Sequence, residues 1–96
     1  MNTITPAQLH ARLDAGENIV LLDVRQPEEH AEVNIPNSIL IPLGELPERV
    51  GELDAYRDQE IIVYCRSGNR SGQACMFLQM SGFTNPVNLS GGMLAW

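Results

Sequence analysis

The chain has 96 residues, 44% of them hydrophobic, which suits one small domain with its own core. Six arginines and no lysine face 12 acidic residues, and the net charge of −6 argues against general binding to nucleic acids or anionic membranes. No apolar run approaches the roughly 20 residues that span a bilayer, residues 1–6 lack the features of a secretory signal, and two cysteines do not indicate a disulfide scaffold. We therefore expect a single cytoplasmic domain over residues 1–96.

The first half of the chain predicts short elements that alternate between helix and strand. Residues 5–8, Thr-Pro-Ala-Gln, have the pattern of a capped helix start. The continuous apolar run 19–22 predicts a strand buried on both faces. A short helix is predicted for 27–31 and a second strand for 38–41, and apolar residues over 43–53 recur at helical spacing around an internal proline.

The second half predicts two more strands, at 60–64 and 86–89, and a last helical turn that opens at the double glycine 91–92. Between the strands, apolar residues at helical spacing predict a helix that Gly82 ends. Strands that alternate with helices indicate an α/β domain around a mostly parallel sheet. In such sheets ligands bind beyond the carboxyl ends of the strands.

The most informative segment is the loop after the strand at 60–64, which reads Cys65-Arg66-Ser67-Gly68-Asn69-Arg70. Backbone N–H groups in a tight loop that leads into a helix converge on one point, where the helix dipole is also positive. A cysteine at that point is stabilised as thiolate, so Cys65 is the candidate nucleophile. The alternative is that Cys65 only ends a buried strand before an ordinary turn. The small residues, the two arginines and the helix start at fixed offsets favour the nucleophile.

Each of the other loop residues has an expected role in binding an anion. Gly68 and Asn69 tolerate a positive φ, so both are expected to let the chain curl. Ser67 is expected to donate a hydrogen bond inward. Arg66 and Arg70 carry planar cations suited to oxyanions, and together they predict a locally positive pocket that attracts small anions.

Three motifs give the chain a resemblance to a known family. They are Leu-Asp-Val-Arg-Gln-Pro-Glu-Glu-His at 22–30 with Ile-Pro-Asn-Ser at 35–38, the loop at 65–70, and Leu-Ser-Gly-Gly-Met-Leu-Ala-Trp at 89–96. In order and spacing these motifs resemble the rhodanese-like sulfurtransferase domain over nearly the whole chain. The resemblance implies a three-layer α/β domain with a small, mostly parallel sheet flanked by helices.

The resemblance also implies roles for individual residues. Cys65 matches the cysteine that becomes a persulfide, and Arg66 to Arg70 match the residues that form its anion cradle. Asp23 and Arg25 match a pair regarded mainly as structural, which agrees with the usual role of an ion pair at a strand end. The segment 91–96 is expected to supply packing and a turn.

The activity implied by the resemblance is that of a thiosulfate sulfurtransferase. A small anionic donor such as thiosulfate would load Cys65, and cyanide, a thiol or a sulfur-acceptor protein would take the sulfur. No metal or organic cofactor is required. His10 and His30 have no metal-ligand neighbours in the sequence, and both are predicted to be exposed residues without a role.

Two departures from the family pattern affect this interpretation. Members of the family usually carry Gly-His-Ile-Pro where this chain has Val-Asn-Ile-Pro at 33–36, so no histidine titrates there, although Asn34 can still hydrogen-bond locally. Relatives generally continue beyond the position of Trp96. A trimmed form and a piece of a longer polypeptide therefore both stay open, and with them the alternative of a sulfur-relay or regulatory module within a larger protein.

Two further alternatives concern the cysteines. Cysteine-dependent phosphatases and arsenate reductases are the competing enzymes, but the phosphatases place five residues between the nucleophile and the arginine that binds phosphate. Only four separate Cys65 from Arg70, so the shorter loop favours sulfur. Cys75 is expected to be a core residue of the helix after the loop, and the alternative is a thiol that resolves the persulfide.

Overall fold

A computed structural model, which describes all 96 residues, contains a five-stranded sheet in which every neighbouring pair of strands is parallel. The strands are β1 (Asn2–Ile4), β2 (Val20–Asp23), β3 (Ile39–Leu40), β4 (Glu60–Tyr64) and β5 (Asn85–Leu89). They are arranged in the order β1-β5-β4-β2-β3. The predicted α/β class is confirmed, but the sequence analysis missed β1, which is a three-residue strand at the edge of the sheet.

Helices connect the strands and cover both faces of the sheet. They are α1 (Pro6–Asp14), α2 (Pro27–Glu32), α3 (Leu46–Arg49), α4 (Asn69–Met80) and α5 (Gly92–Ala95), with 3₁₀ segments at Leu43–Glu45 and Val50–Tyr56. The predicted capping box at the start of α1 is present, since Thr5 and Gln8 exchange backbone-to-side-chain hydrogen bonds of 3.0 and 3.1 Å. The longest helix has 12 residues, and none is long and apolar enough to cross a membrane.

The core lies on both sides of the central strand β4. Because successive side chains of a strand point to opposite faces, Ile61 and Val63 pack on one face and Ile62 and Tyr64 on the other. On the first face they meet α4 and the helical segment 43–56, and on the second they meet α1 and the carboxyl-terminal segment. This gives the three layers that the resemblance implied and leaves β4 buried on both faces.

The fold places Cys65 at the carboxyl end of this central strand, where the carboxyl-terminal segment returns to the loop. The backbone N–H groups of Met93 and Leu94 donate to the carbonyl oxygens of Cys65 and Arg66, both at 2.9 Å. Gly92, at φ +56°, lies so close that an added Cβ would overlap the carbonyl groups of both loop residues. The double glycine thus has the turn role expected of it, and it also lets two backbones approach each other.

The close approach of Gly92 to the carbonyl groups of Cys65 and Arg66 predicts that Gly92→Ala strongly destabilises the protein. The loss should be larger than for an alanine substitution at a glycine that has open space around it. We expect the free energy of unfolding to fall by about 3 kcal/mol, because overpacking adds to the strain of a positive φ. Gly16, at φ +81° with nothing within 4 Å, separates the two effects, and Gly16→Ala should cost about 1–2 kcal/mol. Gly44 has open space and no positive φ, so Gly44→Ala should change stability by less than about 0.5 kcal/mol. Chemical denaturation of the three variants checks the order, and equal losses at Gly92 and Gly16 would contradict the steric argument.

Candidate active site

The sulfur of Cys65 lies at the floor of a cradle of backbone donors. The backbone N–H of Gly68 donates to Sγ at 3.1 Å, and the hydroxyl of Ser71 lies 3.3 Å from it. Gly68 adopts φ +108°, which only glycine adopts readily, so that the chain reverses and α4 begins at the next residue. Cys65 is 1% exposed, and its thiol is therefore held almost entirely by protein groups.

The electrostatic result is a pKa of Cys65 below the ordinary value of a thiol. Burial raises this pKa because it disfavours the charged form. The side chain of Ser71 and the backbone N–H groups of Ser71, Gly68 and Ser67 lower it by more, because they interact with the thiolate. The cradle predicted from the sequence is thus built mainly from backbone groups.

Two site residues were missed by the sequence analysis, Ser71 and Asn88. Ser71 is fully buried on α4 and lies between Cys65 and Asn88 of β5. The sequence does contain a signal for both residues, because each is polar at a position where the hydrophobic pattern of its helix or strand predicts an apolar residue. Ser71 lies one turn before the buried Ala74, and Asn88 interrupts the apolar run of its strand.

The two loop arginines have different surroundings. Arg70, the second residue of α4, forms a bidentate ion pair with Glu29 of α2, at 2.7 and 2.9 Å. Arg66 is exposed and forms no ion pair. The prediction that both arginines together make a locally positive pocket is therefore wrong, because the carboxylate of Glu29 offsets the charge of Arg70.

Two smaller expectations about the loop also need correction. Asn69 does not adopt a positive φ, because the helix has already started there and Gly68 alone provides the reversal. Ser67 is exposed and contributes its backbone N–H, not its hydroxyl, to the environment of Cys65.

Two cavities lie at opposite ends of the parallel strands. The larger, about 550 Å³, is lined by Asn2, Glu60 and Asn85, the first residues of β1, β4 and β5. The smaller, about 250 Å³, lies beside the Cys65 loop and is lined by Arg25, Glu29, Glu32, Val33, Arg66, Met93 and Leu94. Cavity size alone would select the end of the sheet away from Cys65, so the candidate site is chosen from the cysteine and its surroundings and not from the cavity volume.

Comparison with known proteins agrees with this geometry. The model of the family described as rhodanese-like domain matches residues 5–96. This chain belongs to that family. A protein of Allochromatium vinosum named sulfurtransferase is 38% identical over 96 residues, which are 100% of this chain and 88% of the relative.

Solved structures extend the comparison to the fold. A rhodanese-like domain protein from Staphylococcus aureus superposes with a TM-score of 0.92 at 32% identity, over 100% of this chain and 91% of that one. A NAD-dependent persulfide reductase from A. fulgidus contains a similar domain, with a TM-score of 0.79 and 38% identity over 100% of this chain but only 16% of its own. The family and its relatives support sulfurtransferase activity in general.

In this rhodanese-like domain the Asp23–Arg25 pair is buried and extends to a third residue. Arg25 donates to the Asp23 carboxylate at 2.8–3.2 Å and to the carbonyl oxygen of Val33 at 2.7 Å. His30 Nδ1 lies 2.9 Å from the same carboxylate. The prediction that His30 is an exposed residue without a role is wrong, because it helps to attach α2 to the end of β2. The geometry agrees with the structural role expected of Asp23 and Arg25.

The remaining residues singled out in the sequence have packing roles. His10 is exposed, as predicted, and its ring stacks on Trp96 with the ring centres 3.6 Å apart. Asn34, which replaces the usual histidine of the family, donates to the carbonyl oxygen of His30 at 2.9 Å. Cys75 is a fully buried core residue, and burial raises its pKa to about 12. No group of three or more potential metal ligands is present.

The ion pair of Glu29 and Arg70 predicts a pH-dependent contribution to stability. The hydrogen bonds from Arg70 lower the pKa of Glu29 from 4.5 to about 2, so the contribution is complete above pH 4.5 and is lost as the pH falls towards 2. Glu29→Gln should therefore lower the free energy of unfolding by about 1–2 kcal/mol at pH 7, which allows for the partly exposed position, and by much less near pH 2.

The neighbouring Glu28 offers a matched control, since it is exposed and forms no ion pair. Denaturation curves of Glu28→Gln should match those of the unmodified protein at every pH. A loss at Glu29→Gln that stays constant between pH 7 and pH 2 would contradict the assignment of the ion pair.

Proposed function

We propose that this rhodanese-like domain transfers the sulfane sulfur of thiosulfate, or of a related small anionic donor, to cyanide or a thiol through a persulfide on Cys65. The observation that carries the proposal is the buried Cys65 sulfur under converging N–H groups, with its pKa lowered. Such a site favours thiolate, which is the nucleophilic form of cysteine.

In the first step, the Cys65 thiolate attacks the sulfane sulfur of thiosulfate. A new S–S bond forms at Cys65, the S–S bond of thiosulfate breaks, and sulfite leaves with the bonding electron pair. The site residues are Cys65 as nucleophile and the loop Arg66, Ser67, Gly68, Asn69 and Arg70 around the donor. The backbone N–H groups of the loop stabilise the thiolate before the step and the negative outer sulfur after it.

In the second step, the acceptor attacks the outer sulfur of the persulfide. A bond between the acceptor and that sulfur forms, the S–S bond at Cys65 breaks, and the thiolate is regenerated with its electron pair. The product is thiocyanate from cyanide or a persulfide from a thiol. The reaction follows a ping-pong order because donor and acceptor use the same sulfur in turn.

Arg66 and Arg70 contribute differently to binding the donor. Arg66 lines the cavity beside the loop without an ion-pair partner, so its full charge is available to an anion. Arg70 is held by Glu29, so its guanidinium joins the start of α4 to α2 and its charge is largely offset. This division also disfavours a phosphatase, which needs an arginine free to bind phosphate at the corresponding place.

The proposal predicts a covalent adduct of one sulfur mass on Cys65. Intact-mass spectrometry after brief thiosulfate treatment without reductant should show the adduct in the unmodified protein and none in Cys65→Ser. Cyanide or a thiol should remove it. Cys75→Ser is the matched control and should keep the adduct, because Cys75 is buried and its thiol is held neutral.

Folded protein that takes up no sulfur from thiosulfate would contradict this donor. An adduct that cyanide and small thiols leave in place would instead favour the relay module, in which a partner protein is the acceptor.

A second prediction concerns Arg66, which lines the cavity beside the loop and has no ion-pair partner. Arg66→Ala should raise the KM for thiosulfate about tenfold, the effect of losing one charge-assisted interaction of about 1.4 kcal/mol, while kcat changes little. Stability should change by less than about 0.5 kcal/mol because the side chain is exposed. Steady-state kinetics at low ionic strength measures the effect. Arg49→Ala removes an equal charge elsewhere and serves as the control. An equal KM in Arg66→Ala and Arg49→Ala would contradict the role of Arg66 in binding the donor.

A further inference from the structure

The hydroxyl of Ser71 lies between two groups that compete for it. Its Oγ is 3.3 Å from Cys65 Sγ and 2.5 Å from Asn88 Oδ1. The orientation of the Asn88 amide is determined by its other end, where Nδ2 donates to the carbonyl oxygen of Gly68 at 3.1 Å. The reversed amide would place two oxygens against each other, so the oxygen of Asn88 must face Ser71.

The direction of the Ser71 hydroxyl proton determines whether Ser71 donates a hydrogen bond to the sulfur or accepts one from it. A serine hydroxyl has a single proton to donate and lone pairs to accept. Because Asn88 Oδ1 cannot donate, the short contact requires the Ser71 proton to point at Asn88. Ser71 then presents lone pairs to Cys65, which suits a thiol that donates its S–H and does not suit a thiolate.

Loss of the Cys65 proton reverses this preference. When that proton leaves to water, the sulfur can only accept, and the Ser71 hydroxyl gains by rotating its proton from Asn88 to the sulfur. The rotation leaves Asn88 Oδ1 without its donor, and the loss of that hydrogen bond at a partly buried position opposes the rotation. The thiolate and Asn88 therefore compete for the same hydrogen.

We propose that Asn88 is a positioning residue that sets how readily the Cys65 thiolate forms, by holding the Ser71 proton away from the sulfur in the resting thiol and releasing it in the thiolate. The meaning for catalysis rests on the proposed function, since it requires Cys65 to be the reacting group. Asn88 itself does not touch the sulfur and acts through Ser71.

The other charges near the sulfur do not contact the Ser71 hydroxyl, although Arg70 interacts electrostatically with Cys65. Arg70 of α4 is paired with Glu29 of α2, and Asp23 at the end of β2 is paired with Arg25. Arg66 follows Cys65 and is exposed. The remaining titratable groups of the elements around the sulfur are Glu60 and Tyr64 on β4 and the core thiol Cys75 on α4, whereas β5 and α5 carry none.

The test is the pH titration of Cys65 in Asn88→Leu, followed by the ultraviolet absorbance of the thiolate with Cys65→Ala as blank. Asn88→Leu removes the competitor, so the midpoint should move to lower pH. At a pH well below the original midpoint we expect about ten times more thiolate, which corresponds to about 1.4 kcal/mol. The alkylation rate should rise only about threefold, because a less basic thiolate is less nucleophilic.

The direction in which the Cys65 midpoint shifts distinguishes the proposed role of Asn88 from a role that only supports the loop. If Asn88 only supports the loop through Gly68, its loss weakens the N–H donors and the midpoint moves to higher pH. A higher or unchanged midpoint in Asn88→Leu therefore overturns the proposal. Asn88→Asp keeps an acceptor for Ser71 and adds negative charge, so it should move the midpoint upwards.

A double variant tests whether the effect passes through Ser71. In a Ser71→Ala background, Asn88→Leu should leave the midpoint unchanged because there is no longer a proton to release. An equal shift with and without Ser71 would overturn the proposal.

A measurement on the unmodified protein covers the case in which Asn88→Leu fails to fold. The side-chain amide resonances of Asn88 should shift with the same midpoint as Cys65, and this shift should be absent in Ser71→Ala. Resonances that do not follow Cys65 would overturn the proposal. None of these readouts requires sulfur transfer, so the outcome is independent of the thiosulfate experiment.

Discussion

The low pKa of Cys65 depends on peptide groups that are held with their N–H ends towards the sulfur. A peptide is planar, so its carbonyl and the following N–H point in opposite directions. The carbonyl oxygen of Arg66 is bound from outside by the N–H of Leu94, which turns the N–H of Ser67 inward. Gly68, whose own N–H donates to the sulfur, is held in place by the hydrogen bonds that its carbonyl oxygen accepts from Gly72 and Asn88. The orientation of the cradle thus depends on what binds its outer surface, and the approach of that surface depends on Gly92.

Charge has a smaller part in the site than the arginines of the loop suggest. Arg70 is neutralised by Glu29 and Arg25 by Asp23. The first pair joins α2 to α4, and the second contacts α2 and its carboxyl end through His30 and the carbonyl oxygen of Val33. With a net charge of −6 the domain has little long-range attraction for anions. In the proposed function, recognition of the donor therefore combines one unpaired cation, Arg66, with short-range donors that surround a single buried atom. Such a cradle suits a sulfur atom, whose charge is compact, better than a phosphate that spreads its charge over several oxygens.

The sequence predicted the elements with strong local signals and missed those that depend on tertiary contacts. The capping box of α1, the buried strand β4 and the glycine turn at Gly68 follow from local chemistry, and the structure has all three. β1 has only three residues and exists because β5 offers it a parallel partner. The ion pair of Arg70 joins residues 41 positions apart in the chain, so no local pattern could show that this cation is occupied.

Asn88 shows what kind of signal a single sequence still holds for such distant contacts. An amide in a short apolar strand conflicts with the local pattern, and such conflicts mark places where another requirement is stronger than packing. Here the requirement arises from the strand order, because β5 lies beside β4 and so brings Asn88 to the first turn of α4. The same amide supports the loop through Gly68 and shares a proton with Ser71. Stability of the loop and reactivity of the sulfur are therefore coupled through one side chain, and a change that improves one is bound to alter the other.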